Sequence, residues 1–138
     1  MTSAQGEARS RIMRAIKSKN TAPELVVRRL LHSLGYRFRL HRTDLPGKPD
    51  IVLPKHKAVI FVHGCFWHQH PSADCRNAQV PRSNNAYWAP KLAGNVARDG
   101  EAVRLLVMLG WRVLIVWECE TKKAGLAEAL QAFLGRAL

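Results

Sequence analysis

Nine consecutive residues, Val62-His63-Gly64-Cys65-Phe66-Trp67-His68-Gln69-His70, carry three histidines, one cysteine and two adjacent large aromatics. They continue an apolar run, Ala58-Val59-Ile60-Phe61-Val62. A run rich in β-branched and aromatic residues reads as a buried strand, which Gly64 ends. The histidines, cysteine and aromatics therefore fall at or beyond a strand terminus. Loops held by a rigid sheet aim side chains well, and α/β proteins keep their chemistry there. This stretch is the candidate active site.

A second source of chemistry is Pro49-Asp50, which opens the strand Ile51-Val52-Leu53. A carboxylate at a strand end is a hard oxygen ligand for Mg²⁺. Beside a phosphodiester, such an ion neutralises developing charge and activates water. Proton transfer then needs an imidazole, which His63 and His68 offer. Asp50 equally fits a residue that merely ends a turn. Glu24 also has two readings. It stands three residues after Thr21, as in a capping box, or it projects from a helix start towards Asp50.

Cys65, His70 and Cys75 are separated by four residues each, and Cys119 follows the last long apolar run. Three cysteines form an odd set that does not suggest a disulfide framework. With His70 they could form the closed Cys₃His tetrahedron of a structural Zn²⁺, stapling a long loop to the sheet. The alternative is three unrelated buried thiols. Phe66, Trp67, Tyr87 and Trp88 lie in or beside the same loop, where exposed aromatics could stack on bases or wedge between base pairs. Core packing is the other fate of such residues, expected for Phe61, Trp111 and Trp117.

Length and composition bound these readings. A chain of 138 residues, 47% hydrophobic and 23% charged, fits one globular domain. No apolar run approaches the roughly 20 residues of a membrane span. Residues 1–10 lack the apolar core of a signal peptide, so a cytoplasmic location, close to the nucleoid, is expected. The net charge of +12 favours a polyanionic partner and salt-dependent binding. Basic residues concentrate early, from Arg9 through Lys19, Arg28, Arg29, Arg37 and Arg39 to Arg42. That points to nucleic acid rather than a membrane surface.

The elements that must position these groups follow from pattern. Residues 8–18 read as a helix with Ile12, Met13 and Ile16 on one face, within a basic arm over 1–18. Thr21-Ala22-Pro23-Glu24 starts a second helix that buries Leu25, Leu30, Leu31 and Leu34 and ends at Gly35. Strands are expected over 36–41, 51–53 and 58–62, and an irregular loop over 64–89. Pro90 opens a long helix to 109, burying Leu92, Val96, Val103, Leu106 and Val107. A fully apolar strand over 111–117 and a helix over 122–134 close the chain. Three strands followed by a helical crossover imply a mixed sheet flanked by helices.

Five pieces of the chain resemble the very short patch repair (Vsr-type) DNA mismatch endonucleases. They are Met13-Arg14-Ala15-Ile16, Leu45-Pro46-Gly47-Lys48-Pro49-Asp50, Phe61-Val62-His63-Gly64-Cys65-Phe66-Trp67-His68, Asn95-Val96-Ala97-Arg98-Asp99 and Gly110-Trp111-Arg112-Val113-Leu114-Ile115-Val116-Trp117-Glu118-Cys119. They fall in order over residues 10 to 120. The resemblance implies a restriction-endonuclease-like α/β fold that nicks duplex DNA 5′ of the thymine in a T:G mismatch, the product of 5-methylcytosine deamination.

By the same resemblance, Asp50 and the Val62 backbone carbonyl would bind Mg²⁺. His68 would activate the attacking water, with His63 and Glu24 in support. Phe66, Trp67 and Trp88 would enter beside the mismatch from the major groove and Met13 from the minor groove. Arg14, Lys91 and Asn95 are further candidate DNA contacts. Cys65, His70, Cys75 and Cys119 would hold structural Zn²⁺. The gap before Cys75 is longer than the family's usual spacing, which leaves Asp74 as a substitute ligand, and Gln69 stands where an extra histidine can occur. The implied partners are mismatched duplex DNA and downstream repair proteins, and a monomer suffices for asymmetric nicking. Two alternatives stand beside this reading: a restriction-type nickase of other specificity, and a zinc-stabilised DNA-binding module without catalysis.

Overall fold

A computed structural model describes residues 21–72, 75, 78, 79 and 85–136. The expected helix over 8–18, with Met13 and Arg14, and the candidate ligand Asp74 lie outside the described residues. Helix α1 spans Ala22–Ser33. Thr21 caps it, its hydroxyl accepting the Glu24 N–H at 3.4 Å. Gly35, at φ 90°, turns the chain out of the helix. The buried face is Val27 and Leu31 with Glu24, whereas Leu30 and Leu34 are half-buried.

Four strands form one sheet in the order β1-β2-β3-β4. They are β1 (Arg39–Leu40), β2 (Ile51–Leu53), β3 (Ala58–His63) and β4 (Arg112–Trp117). The first two pairings are antiparallel and β3 runs parallel to β4. This is the expected mixed sheet. Strand β1 has only two residues instead of the six expected, because pairing to β2 extends no further than Arg39↔Val52 and Leu40↔Ile51.

Alternation on the strands sorts the core into two layers. Ile51, Leu53, Ala58 and Ile60 pack with Val27 and Leu31 of α1 and with Leu130 and Leu134 of the closing helix α3 (Leu126–Leu134). Val52, Val59 and Phe61 face the other way, onto Ala102 and Leu106 of the long helix α2 (Asn85–Met108). Completely burying Ile51, Val52, Leu53, Val59 and Ile60 stabilises the chain by about 1.5–3 kcal/mol each in transfer terms.

Helix α2 departs from expectation at its start and on its face. It begins at Asn85, five residues before Pro90, which sits inside it. Pro90 leaves the carbonyl four residues earlier without its helical partner. Burial of Trp88 against Trp67 and Leu92 offsets that loss. The inward stripe runs Trp88, Leu92, Asn95, Asp99, Ala102, Leu106, at alternating steps of four and three. Val96 and Val107, expected inside, are 45% and 57% exposed. Strand β4 is half-buried along most of its length rather than fully buried. A short 3₁₀ segment, Glu118–Lys122, follows β4, and α3 starts at Leu126, four residues later than expected.

Candidate active site

The ends of β2 and β3, the start of α1 and the middle of α2 enclose a cleft of about 930 Å³, lined among others by Glu24, Asp50, His63, His68 and Asp99. The turn before Asp50 is set by Gly47. A Cβ there would come within 2.6 Å of the Ala102 methyl and 3.1 Å of the Phe61 ring, and its φ is 72°. Only glycine meets both demands without strain. The family-like phrase around Pro46-Gly47 thus fixes how closely the Asp50 loop lies against α2 and β3.

Asp50 is fastened across the β2–β3 pair. Its Oδ2 accepts the Val62 N–H at 2.7 Å. Burial pushes its carboxyl up to about 6, against the pull of the Val62 hydrogen bond, and the nearby Glu24 carboxylate adds to the rise. A carboxylate in such a setting gains by binding a cation. Glu24 is 2% exposed. Its side chain does not close a capping box on Thr21. Its Oε2 instead lies 2.8 Å from His41 Nε2 and accepts Arg28 Nη1 at 3.4 Å. Donor atoms of Glu24, His41 and Asp50 lie within 4.8 Å of one another. The projection of Glu24 towards Asp50 is therefore the reading the fold supports.

On the facing wall, His68 Nδ1 lies 2.6 Å from Asp99 Oδ2. The His63 ring stacks on His68 with centroids 3.8 Å apart and planes 8° apart. His63 is buried, and its Nδ1 has no partner among the described residues. Burial, reinforced by His68, holds its pKa down to about 4, so it is neutral at physiological pH.

The loop after β3 folds on a sulfur and imidazole cluster. Donor atoms of Cys65, His70, Cys75 and Cys119 lie within 4.8 Å of one another. Cys65 and Cys119 Sγ stand 3.8 and 3.4 Å from His70 Nδ1. Burial pushes the Cys65 thiol up to about 12. Three sulfurs and one imidazole are the donor set that zinc takes in structural sites. Glu118 Oε1 accepts the Cys65 N–H at 3.3 Å, tying this loop to the end of β4.

The aromatic residues are arranged differently from the exposed set the sequence suggests. Trp67 and Trp88 are buried, at 6% and 7% exposure, and pack with Leu92 and the half-buried Phe66. Phe66 meets both indoles edge-on. Mutual packing removes more apolar surface from water than display to solvent would. Tyr87 alone of the four is widely exposed, at 58%. Asn95 Nδ2 donates to the Trp67 carbonyl at 3.0 Å, so this side chain braces the aromatic loop. Lys91 is exposed, with Nζ 6.0 Å from the Trp67 ring centre.

Three residues at the site escape the sequence reading: Asp99 and Glu118, which line the cleft, and His41, which stands behind Glu24 and Asp50. Asp99 has a signal, since its spacing from Leu92, Asn95, Ala102 and Leu106 places it on the inward stripe of α2. His41 reaches Glu24 and Asp50 only because β1 pairs with β2 one residue away from Asp50, a register that the composition of a two-residue strand does not reveal.

A four-stranded mixed sheet gathers carboxylates and histidines over its β2–β3 end, a donor set able to hold a divalent ion and move a proton. In fold, the chain is similar to the catalytic domain of a homing endonuclease, with a TM-score of 0.57 and 21% identity over 83% of this chain and 94% of that one. In sequence, the family model of the DNA mismatch endonuclease Vsr matches residues 2–76. A type II nicking enzyme of Xanthomonas oryzae pv. oryzae is 54% identical over 123 residues, 89% of this chain and 88% of that enzyme. The DNA mismatch endonuclease Vsr of Escherichia coli K12 is 46% identical over 111 residues, 80% of this chain and 69% of that protein. The chain belongs to the Vsr family and is a DNA endonuclease, a hydrolase of phosphodiester bonds.

Proposed function

We propose that this endonuclease nicks one strand of duplex DNA on the 5′ side of the thymine in a T:G mismatch, with Mg²⁺ as its catalytic ion and Zn²⁺ as its structural one. The observation that carries the reading is the meeting of two half-sites across one cleft, the Asp50–Glu24 carboxylates on one side and the Asp99–His68 pair on the other. The bound divalent ion supplies charge neutralisation at the scissile phosphate and an activated water. Asp50 commits Oδ2 to the Val62 N–H, and its other oxygen together with the Val62 carbonyl would hold the ion. Asp99 accepts the Nδ1–H of His68 and so leaves Nε2 as the base that takes the proton from water. His63, neutral and stacked on His68, keeps that ring in plane.

Recognition falls to the aromatic cluster of Phe66, Trp67 and Trp88, whose buried indoles must unpack from each other before a ring enters the duplex, with Lys91 beside it, Met13 and Arg14 on the N-terminal arm, and Asn95 holding the loop. A wobble pair costs less to unstack than a Watson–Crick pair, so a wedge between base pairs discriminates by deformation. The chain acts as a monomer, and the repair proteins that follow it are partners of the nicked product.

The test is a nicking assay on duplexes carrying one T:G mismatch, with matched T:A and C:G controls, with and without Mg²⁺. A metal-dependent nick beside the mismatched thymine alone is the expected result. Cleavage of matched duplex would replace mismatch specificity with that of a restriction-type nickase, a reading favoured by the name of the Xanthomonas relative. Binding without cleavage would leave a zinc-stabilised DNA-binding module.

A further inference from the structure

An imidazole backs the two carboxylates of the cleft. His41 Nε2 stands 2.8 Å from Glu24 Oε2, and its side chain is 16% exposed. The residue follows β1 with φ 51°, left-handed backbone that is uncommon for anything but glycine, asparagine, aspartate or histidine. Its own N–H donates to the Asp50 carbonyl at 3.1 Å. The residue that holds the His41 backbone is thus a member of the same donor cluster as its imidazole. Charge balance alone gives no reason for the arrangement, because Arg28 already donates to the same Glu24 oxygen.

One donor atom from each of Glu24, His41 and Asp50 lies within 4.8 Å of the other two. Ligands about 2.1 Å from a common ion stand no more than about 4.2 Å apart, so a small inward movement closes the set around one cation. Two carboxylates and an imidazole are not the all-oxygen environment that Mg²⁺ and Ca²⁺ prefer. Nitrogen donors favour first-row transition ions.

We propose that His41 is a ligand of the cleft's divalent ion, completing a Glu24–His41–Asp50 site that prefers a first-row transition ion such as Mn²⁺ to Mg²⁺. The inference rests on the reading of this cleft as a metal-dependent nuclease site. Glu24 and Asp50 supply the charge and His41 supplies the selectivity. The Cys65–His70–Cys75–Cys119 cluster takes zinc, leaving the oxygen-rich site to the harder ion.

The experiment uses the full zinc-loaded chain and Mn²⁺ as probe. Pulsed electron paramagnetic resonance of bound Mn²⁺ reads ¹⁴N coupling from a directly ligated imidazole. Titration of the free-Mn²⁺ signal, with Mg²⁺ as competitor, gives the ratio of the two dissociation constants. Wild-type protein is expected to show the coupling, and His41→Gln to lose it while the preference for Mn²⁺ over Mg²⁺ falls by about tenfold or more. Glu24→Gln is expected to weaken both ions and keep the coupling, which separates loss of a selective ligand from collapse of the site. Absence of ¹⁴N coupling in the wild type overturns the proposal without any variant. Coupling or ion preference unchanged in folded His41→Gln overturns it equally, leaving His41 as the partner of Glu24 alone. The nicking assay is read separately. A wild type that shows the His41-dependent coupling but does not nick T:G duplexes supports the site and overturns the mismatch reading.

Discussion

His68 Nδ1 and Asp99 Oδ2, thirty-one residues apart in the chain, meet at 2.6 Å across the wall of the cleft. The contact sets which imidazole nitrogen carries the proton and which is left to accept one. It also joins the loop after β3 to the middle of α2. An aspartate on the inward stripe of a helix, among Leu92, Ala102 and Leu106, has no packing value of its own. Its worth lies in the histidine it orients.

Asp99→Asn should therefore slow nicking by about 10²–10⁴-fold while DNA affinity changes little, as expected when a base loses the partner that sets its tautomer and orientation. His68→Ala should cost about 10²–10⁴-fold. Adding Asp99→Asn to His68→Ala should cost almost nothing more, because the two act as one unit. Single-turnover rates on a mismatched duplex check this. Additive losses would mean that Asp99 acts independently of His68.

Gly47→Ala is expected to lower stability by about 1–3 kcal/mol, through left-handed strain and overpacking. The added methyl would sit 2.6 Å from the Ala102 side chain. A thermal melt reads the first effect. A drop in nicking larger than the fraction unfolded reads the second, because the displaced loop carries Asp50. An unchanged melting temperature would mean that the loop and α2 part easily.

Much of this was legible in the sequence, and the boundary is physical. β-branched runs and Gly64 place β3 and its end because those signals are local. Thr21 and Gly35 likewise mark the ends of α1. Cys65, His70, Cys75 and Cys119 converge as expected because two of their carriers are neighbouring parallel strands. The face of α2 was not legible from valines alone. Val96 and Val107 compete with Asn95 and Asp99 for the inward stripe, and the polar pair wins because the cleft, rather than the core, lies opposite them. The burial of Trp67 and Trp88 was missed for a related reason. Their partners are each other, across a loop and a helix start whose contact depends on tertiary structure.

Zinc should be present at one ion per chain by elemental analysis. Cys119→Ser should lower zinc retention and destabilise the loop that bears His68, since Cys119 is the proposed ligand that reaches it from the far end of β4. Asp74→Ala should leave zinc content unchanged, with Cys75 completing the set. Zinc lost from Asp74→Ala but kept in Cys75→Ser would exchange those two assignments.

Asp50 and His63 pull stability in opposite directions with pH. The Asp50 carboxyl holds its proton up to about pH 6 in the folded chain, whereas an unfolded aspartate releases it near about 3.9. Between those values the folded state binds more protons, so this group's contribution to stability falls as pH rises. His63 refuses a proton until about pH 4, whereas an unfolded histidine takes one near about 6.5. There the unfolded state binds more protons, and stability rises with pH. In the wild type the two slopes offset each other from about pH 4 to 6. Asp50→Asn removes the falling one. Without added Mg²⁺, the variant should be more stable than wild type by about 2–3 kcal/mol at pH 7, an advantage that shrinks towards zero as pH approaches 4. Urea midpoints at pH 5, 6 and 7 measure that difference directly, and zinc loss at low pH, common to both chains, cancels from it. An advantage that grows on acidification would mean that Asp50 is ionised and paired in the folded chain rather than desolvated.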